Sequence, residues 1–339
     1  MQTDRWSITT ACPDDWGLRI ERHGGGFFHS PAALQLEDAP ATPFFARLRC
    51  GADVAGIAAG VLRRCRLSPR PRHAYLPTPP ALDRDVAGDS ALTALAAVLA
   101  RKGMAELVVD SYDARWMPRV TGTALAELRQ EYIVPLGRDA SPQRLAGRCA
   151  VNHRHGIRRG ERERWTLRTL TGESAHVALA GVQHAAASRA TERGHGFTPY
   201  MPARSERSAE ADFFASWGAV TMAAFNADVL LAAARIGWGG RRAFYRVGGS
   251  TMDGYRVGAA AWLHWRIMCV LAERGFSAYN LGGTPASAAH ADDPMHGLFR
   301  FKTGFGATCV PCRGVYVTLS HHHRRAHGLA NRIAGVLHA

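Results

Sequence analysis

Two glycine-bearing segments in the second half of the chain hold the residue types best suited to chemistry. YNLGG (Tyr279–Gly283) reads as a strand ending in two glycines. Glycines there let a backbone or ligand come close and expose N–H groups. Such N–H groups on Gly282 and Gly283 can hold a developing oxyanion or a phosphate. FRFKTGFG (299–306) sets Arg300 and Lys302 two apart among Phe299, Phe301 and Phe305. An ammonium on an aromatic, partly dry floor is a strong partner for an anion or a carbonyl oxygen. The plain alternative is a glycine-rich turn with a packed aromatic anchor. Composition alone does not decide between the two, but lysine usage bears on the choice. The chain has 40 arginines and 2 lysines, Lys102 and Lys302. An arginine-biased codon usage explains the arginine excess. It does not explain a lysine retained in this motif, where a compact ammonium does what a guanidinium cannot.

A third segment, FYRVGGS (Phe244–Ser250), contributes Tyr245 and Ser250. A basic stretch, NHRHGIRRGERER (152–164), contributes Arg154, Arg158 and Arg159. It fits either a solvated helix face, with Glu161 and Glu163 offsetting charge, or a helix that contacts phosphates. No convincing general base stands out. His290, Asp292, Asp293 and His296 lie between the two glycine motifs and are candidates only by position. Cys309 and Cys312 form a single CxxC without a second ligand pair, so structural or incidental thiols are expected and no metal is assigned. His321–His323 and His327 read as the polar face of a C-terminal helix.

These residues need elements to position them. Phe44–Arg49 and Val54–Leu62 read as a hairpin around Cys50–Asp53. Ser68–Pro80, with five prolines, reads as a loop. Ser90–Arg101 reads as a helix stopped at Gly103, and Glu106–Asp110 as a buried strand. The order returns later. Asp228–Gly237 and Ala243–Val247 form a hairpin, Gly258–Arg274 a helix, and Ser277–Leu281 a strand. Hairpin, helix, strand therefore occurs twice, which points to a duplication of topology. The join falls near Gly137–Gln143, and Val315–Leu319 reads as a late strand.

The bulk numbers bound the class. With 339 residues and 47% hydrophobic content, the chain can build two modest domains around real cores. It has no run of apolar residues long enough for a transmembrane span and no apolar leader, so the default location is the cytoplasm. The cysteines are scattered and odd in number, which excludes a disulfide framework. A net charge of +14 favours a polyanionic partner.

In combination, YNLGG and FRFKTGFGA (299–307) resemble the Fem family of the GNAT-type acyltransferases, whose members show a YxLxGG-like strand end followed by an FKxGFGG-like segment. FYRVGGS resembles that family's strand before its core helix, RHGIRRGER its basic helix, and GGGFFHSPAAL (24–34) the opening of the small Fem-like group. The resemblance implies an α/β (α+β) fold of tandem GNAT-like domains, each a mixed sheet flanked by helices. Residues 1–140 and 141–319 would form the two, with 320–339 a basic terminal helix. It implies aminoacyl-tRNA as co-substrate, with no further cofactor, and an amine on a small molecule or a peptide as acceptor. A monomer is expected. Lys302, Asn280 and Tyr279 map onto the reactive position, and Arg300, Arg158, Arg159, Arg154, Tyr245, Ser250, Gly282, Gly283 and Phe305 onto substrate or tRNA contact. Asn280 stands where the family carries Asp. It keeps hydrogen bonding and loses the charge.

Two rivals remain. An acyl-CoA-dependent GNAT would cradle acetyl-CoA pyrophosphate at a helix N-terminus, and YRVGAA (Tyr255–Ala260) has the G-x-A spacing but Tyr in place of Gln or Arg. A non-catalytic RNA-binding protein would interleave aromatics with its basic patch, and 152–164 has none before Trp165.

Overall fold

The computed structural model describes residues 5–34, 41–64, 71–119, 124–125, 128–137, 140–192, 194 and 216–319. The expected terminal helix with its histidines lies outside them. The chain divides into two compact units. One draws on residues 1–128 and resumes at Cys312, and the other spans Arg129–Pro311.

The first unit begins with β1 (Arg5–Thr9), β2 (Ala41–Cys50), β3 (Asp53–Arg64), β4 (Pro71–Leu76), β5 (Ala81–Leu82), β6 (Glu106–Val109) and β7 (Ala124–Leu125). Its helices are α1 (Trp16–Arg22), α2 (Pro31–Leu34) and α3 (Gly88–Arg101). β2 and β3 form the expected hairpin, turning through Gly51 at φ 65°. The proline-rich stretch is corrected. Residues 71–76 form β4, which pairs with β3 on one side and runs parallel to β6 on the other. Its prolines sit at the strand's first residue and beyond its end, where no ladder N–H is needed.

The second unit holds β8 (Arg129–Pro135), β9 (Thr166–Leu170), β10 (Trp217–Asn226), β11 (Val229–Gly239), β12 (Arg242–Ser250), β13 (Ala278–Pro285) and β14 (Thr308–Cys312). Its helices are α4 (Pro142–Arg148), α5 (Val151–Arg162), α6 (Gly172–Glu192), α7 (Met252–Arg256), α8 (Ala259–Glu273) and α9 (His296–Thr303). The last strand, β15 (Val315–Thr318), pairs with β6 and β7 in the first unit's sheet.

The two sheets have the same plan. One runs β1-β2-β3-β4-β6-β15-β7 and the other β9-β10-β11-β12-β13-β8-β14. In each, a helix connects the fourth and fifth strands, which makes that pair parallel. The expected topological repeat is therefore present, as β4-α3-β6 and β12-α8-β13. In each sheet the sixth strand comes from the opposite half of the chain. This puts β15 with the first unit and β8 with the second, where the sequence reading drew its boundaries at 140 and 319.

α8 is apolar nearly all round because it is a core helix. Trp262, Leu263, Trp265, Ile267, Met268 and Leu271 are all buried. α5 is two-sided. His153, Gly156, Ile157 and Gly160, spaced by three and four, form its buried face. Gly156 lies against the Gly258 carbonyl, and Gly160 lies against the rings of Trp165 and Trp262. A Cβ at Gly160 would come within 2.3 Å of Trp262 Cδ1. Gly160→Ala should therefore lower stability by about 1–3 kcal/mol in urea unfolding. Gly181→Ala, at an exposed α6 position with open space around it, should not destabilise.

Candidate functional site

The parallel register of β12 and β13 covers only three pairs, Arg242↔Ala278, Ala243↔Tyr279 and Phe244↔Asn280. Beyond them β12 continues to Ser250 paired with β11, and β13 continues to Pro285 paired with β8. Each strand carries a bulge just past the parting. Opposite β11, Arg246 is the extra residue, because Arg235 pairs with Val247 and Ile236 with Tyr245. Opposite β8, the stretch from Asn280 to Gly283 spans one residue more than Ile133 to Glu131. Gly282 occupies that bulge at φ 72°, a conformation a side chain resists. The YNLGG glycines thus lie within a strand rather than at its end. In the first unit the equivalent pair stays closed. After Leu76↔Val109 the ladder goes on through Asp110 N–H to Leu76 O (2.8 Å) and Tyr112 N–H to Pro77 O (3.1 Å). The fork belongs to the second unit.

Lys302 reaches this fork from α9. The FRFKTGFG segment is the last turn of that helix and its stop, not a free turn. Lys302 is 5% exposed, and its Nζ donates to Gly283 O at 2.9 Å. The ammonium lies 5.9 Å from the Tyr132 ring centroid, and a Cβ on Gly282 would sit 3.4 Å from it. Burial brings its pKa down to about 8, with Glu131 opposing the shift and Arg129 adding to it. Arg300, two residues earlier on the helix, is on the exposed side. The two cations therefore do not act together.

Beneath the bulge lies a polar chain. Asn280 Nδ2 donates to Glu131 Oε2 (2.8 Å), and Asn280 Oδ1 accepts from Gly282 N–H (2.9 Å). Asn280 and Glu131 are both buried, and Arg129 Nη1 stands 3.9 Å from Glu131 Oε1. The Gly282 N–H, expected to face a substrate oxyanion, is thus already taken. Tyr132 Oη and Thr284 Oγ1 are bonded at 2.7 Å beside the same bulge.

A second layer consists of rings. His264 Nδ1 lies 2.9 Å from Tyr279 Oη. Burial, followed by the nearby His153 and Lys302, holds the His264 pKa down at about 3, so its imidazole is neutral. Burial raises the Tyr279 hydroxyl well above its ordinary value. Tyr245 packs edge-on against His264 at 4.6 Å, and Phe305 packs against His153 at 4.4 Å. His153 Nε2–H donates to Phe301 O at 2.9 Å, a carbonyl in the last turn of α9. Tyr279 and Phe305 are fully buried.

The remaining candidates are spread out. Ser250 is buried, and its carbonyl accepts from Arg189. Arg154 Nη1 donates to Cys149 O at 2.6 Å, and Arg159 is paired with Glu163 at 2.8 Å. Arg158 is exposed. Asp293 is held below the usual carboxylate range, first by the Met295 N–H and next by Ser287, so it is a weak base. His296 is tied to Ala288 O at 3.2 Å. Cys309 is exposed, Cys312 is buried, and both lie on β14. Among the described residues no group of three His, Cys, Asp or Glu side chains converges as a metal site. No described helix is long and apolar enough to cross a membrane. Sequence reasoning missed Glu131, Tyr132, His153 and His264. Only their contacts across the sheet and between helices reveal them.

The FemAB family model matches residues 218–320, the segment that contains all three second-half motifs. None of the curated proteins matches the chain in sequence. The fold is that of FemX, with a TM-score of 0.66 and 11% identity over 91% of this chain and 96% of that one. L-PGS from Bacillus licheniformis gives 0.52, with 13% identity over 96% and 97% of the two chains. A tandem GNAT protein from the clavulanic acid biosynthesis pathway gives 0.51, with 13% identity over 94% and 99%. The Fem-like resemblance and the tandem GNAT-type fold are thereby established.

The bulge depends on a backbone conformation that only glycine adopts without strain. Gly282→Ala should cost about 1–2 kcal/mol in chemical denaturation. It should also move the Lys302 ammonium off the Gly283 carbonyl, to be read in a crystal structure of the variant.

Proposed function

We propose that this protein is an acyltransferase that moves an aminoacyl group from aminoacyl-tRNA to an amine, forming an amide. The observation that carries the reading is the buried Lys302 ammonium beside the forked strands. The Tyr245 carbonyl still lies 3.4 Å from where a Gly282 Cβ would sit, but beyond it Arg246–Ser250 and Gly283–Pro285 are outside the β12–β13 ladder, and a donor acyl chain would lie between them. The donor ester is already activated, so no nucleotide hydrolysis is needed. The amine nitrogen attacks the ester carbonyl, and the C–N bond forms as the C–O bond to the tRNA ribose breaks. The amine proton leaves with the ribose oxygen. Lys302 supplies positive charge where the tetrahedral oxyanion develops, in surroundings dry enough to make that charge effective. Arg158 and Arg162, the two exposed arginines of α5, supply phosphate contacts. The FemAB match over residues 218–320 and the +14 charge support this donor. The acceptor is an amine on a small natural-product precursor or on a peptidoglycan-type precursor. The work is placed in the cytoplasm, by a monomer.

A second reading keeps acetyl-CoA as donor. Gly258, within the YRVGAA stretch, is the residue that caps the start of α8, at φ 74°, so a G-x-A turn leads directly into a helix N-terminus as a pyrophosphate cradle requires.

The test is to measure binding of labelled bulk aminoacyl-tRNA and of labelled acetyl-CoA to the purified protein as salt is raised. Tight, steeply salt-dependent binding of charged tRNA is expected, with the slope reduced by about one in Arg158→Ala. Lys302→Ala should lower transfer by about 100-fold or more with little change in tRNA binding. Transfer should fall as pH rises through about 8, because the charged ammonium is lost there. Binding of acetyl-CoA alone would replace this reading with the second. RNA binding without transfer to any amine would leave a non-catalytic RNA-binding protein.

A further inference from the structure

Asn280 performs two opposite tasks at one place. Its amide N–H₂ faces the Glu131 carboxylate, and its carbonyl faces the Gly282 N–H. An aspartate cannot do both. It would set one carboxylate against another at hydrogen-bond distance inside the core, where like charges cannot both ionise. The acid of this site therefore stands one strand away, on β8, and Asn280 links it to the bulge. The bulge in turn offers the Gly283 carbonyl that anchors Lys302.

We propose that Glu131 is the positioning residue of the site, which through Asn280 fixes the Gly282–Gly283 bulge and sets its negative charge opposite the Lys302 ammonium across that bulge. The proposal rests on the reading of Lys302 as the group that meets the reacting carbonyl, but its first test does not. Among the described residues, Lys302 Nζ donates to Gly283 O and lies 5.9 Å from the Tyr132 ring centroid. Glu131 reaches the same bulge, with its Cγ 3.5 Å from where a Gly283 Cβ would sit, and Arg129 Nη1 stands 3.9 Å from Glu131 Oε1. His264 on α8 and His153 on α5 both pack against Phe301 and Phe305. Both imidazoles are shifted toward the neutral form by burial, and Arg129 opposes a positive Lys302. Glu131 is thus the one group in this set whose charge favours the ammonium. Glu131→Gln keeps the shape and can still accept from Asn280, but removes that charge.

The chain has two lysines, so ¹³C-lysine labelling gives two side-chain signals. Lys302→Met identifies them. In Glu131→Gln, the Lys302 signal should titrate at least about one pH unit lower than in the parent protein. Asn280→Asp should lower the melting temperature, because two carboxylates then adjoin. The double variant Glu131→Gln with Asn280→Asp inverts the pair. Gln donates, Asp accepts from both neighbours, and one negative charge returns to the site. It should recover both the Lys302 titration and most of the stability. In transfer assays the high-pH limb should follow the NMR titration in each variant. An unchanged Lys302 titration in Glu131→Gln would overturn the proposal, as would a folded double variant that recovers neither property. If the titrations shift as expected but no variant, nor the parent, transfers an acyl group, the proposed reaction fails while the Glu131 linkage stands.

Discussion

Burying an ammonium is costly, and a linked set of residues in the second unit meets that cost at Lys302. An isolated charge in the core would lose its proton or unfold its surroundings. Lys302 keeps its place because a bulge turns one backbone carbonyl toward it, the Glu131 side chain packs against that same bulge and an aromatic ring lies nearby. The supports are linked. Glu131 is held by Asn280, which also holds the bulge, and Gly282 permits the bulge. α9 delivers the lysine, and α5 secures α9. The Ala150 N–H donates to Gly304 O at 2.7 Å, and His153 donates to Phe301 O, so two carbonyls at the end of that short helix are satisfied.

The repeated sheet plan makes the contrast between units informative. Both contain a parallel pair joined by a helix. In the first unit the strands stay hydrogen-bonded past their ends, and the residues there are tied into local packing. His29 of the FFHS stretch lies with Nε2 3.0 Å from Pro79 O, and Trp16 donates to the His29 carbonyl. In the second unit, two bulges open the same place. The motif resembling the small Fem-like opening is thus a packing device in its unit, while the glycine motifs create the fork.

The parts of the fold legible in the sequence were those set by local pattern. Hairpins turned at glycines, α8 stopped at Gly275, and the order hairpin, helix, strand was visible twice. Lys302 was legible because it interrupts an arginine-rich composition. What was not legible was set by pairing between distant strands. β4 hid behind prolines that flank it. The sixth strand of each sheet is supplied from the other half of the chain, which no local pattern records. Glu131 lies 149 residues from Asn280 and looks like an ordinary strand-edge acid until β8 and β13 are paired. Tyr279 and Phe305 were named for their motif positions, but being in a motif does not say which side of a strand or helix a residue faces.

α5 separates into two faces what its composition mixes. Its buried face is made of His153 and small residues, which let the helix approach α8 closely. Arg154 and Arg159 are occupied by partners within the unit. Arg158 and Arg162 remain on the exposed side, four residues apart, where like charges repel across one helical turn. The nearby Glu163 relieves this only in part, being 3.7 Å from Arg162 and already engaged with Arg159. A helix that needed only solubility would gain from alternating signs along that face. The net positive charge left on that face is what the proposed phosphate contacts would draw on.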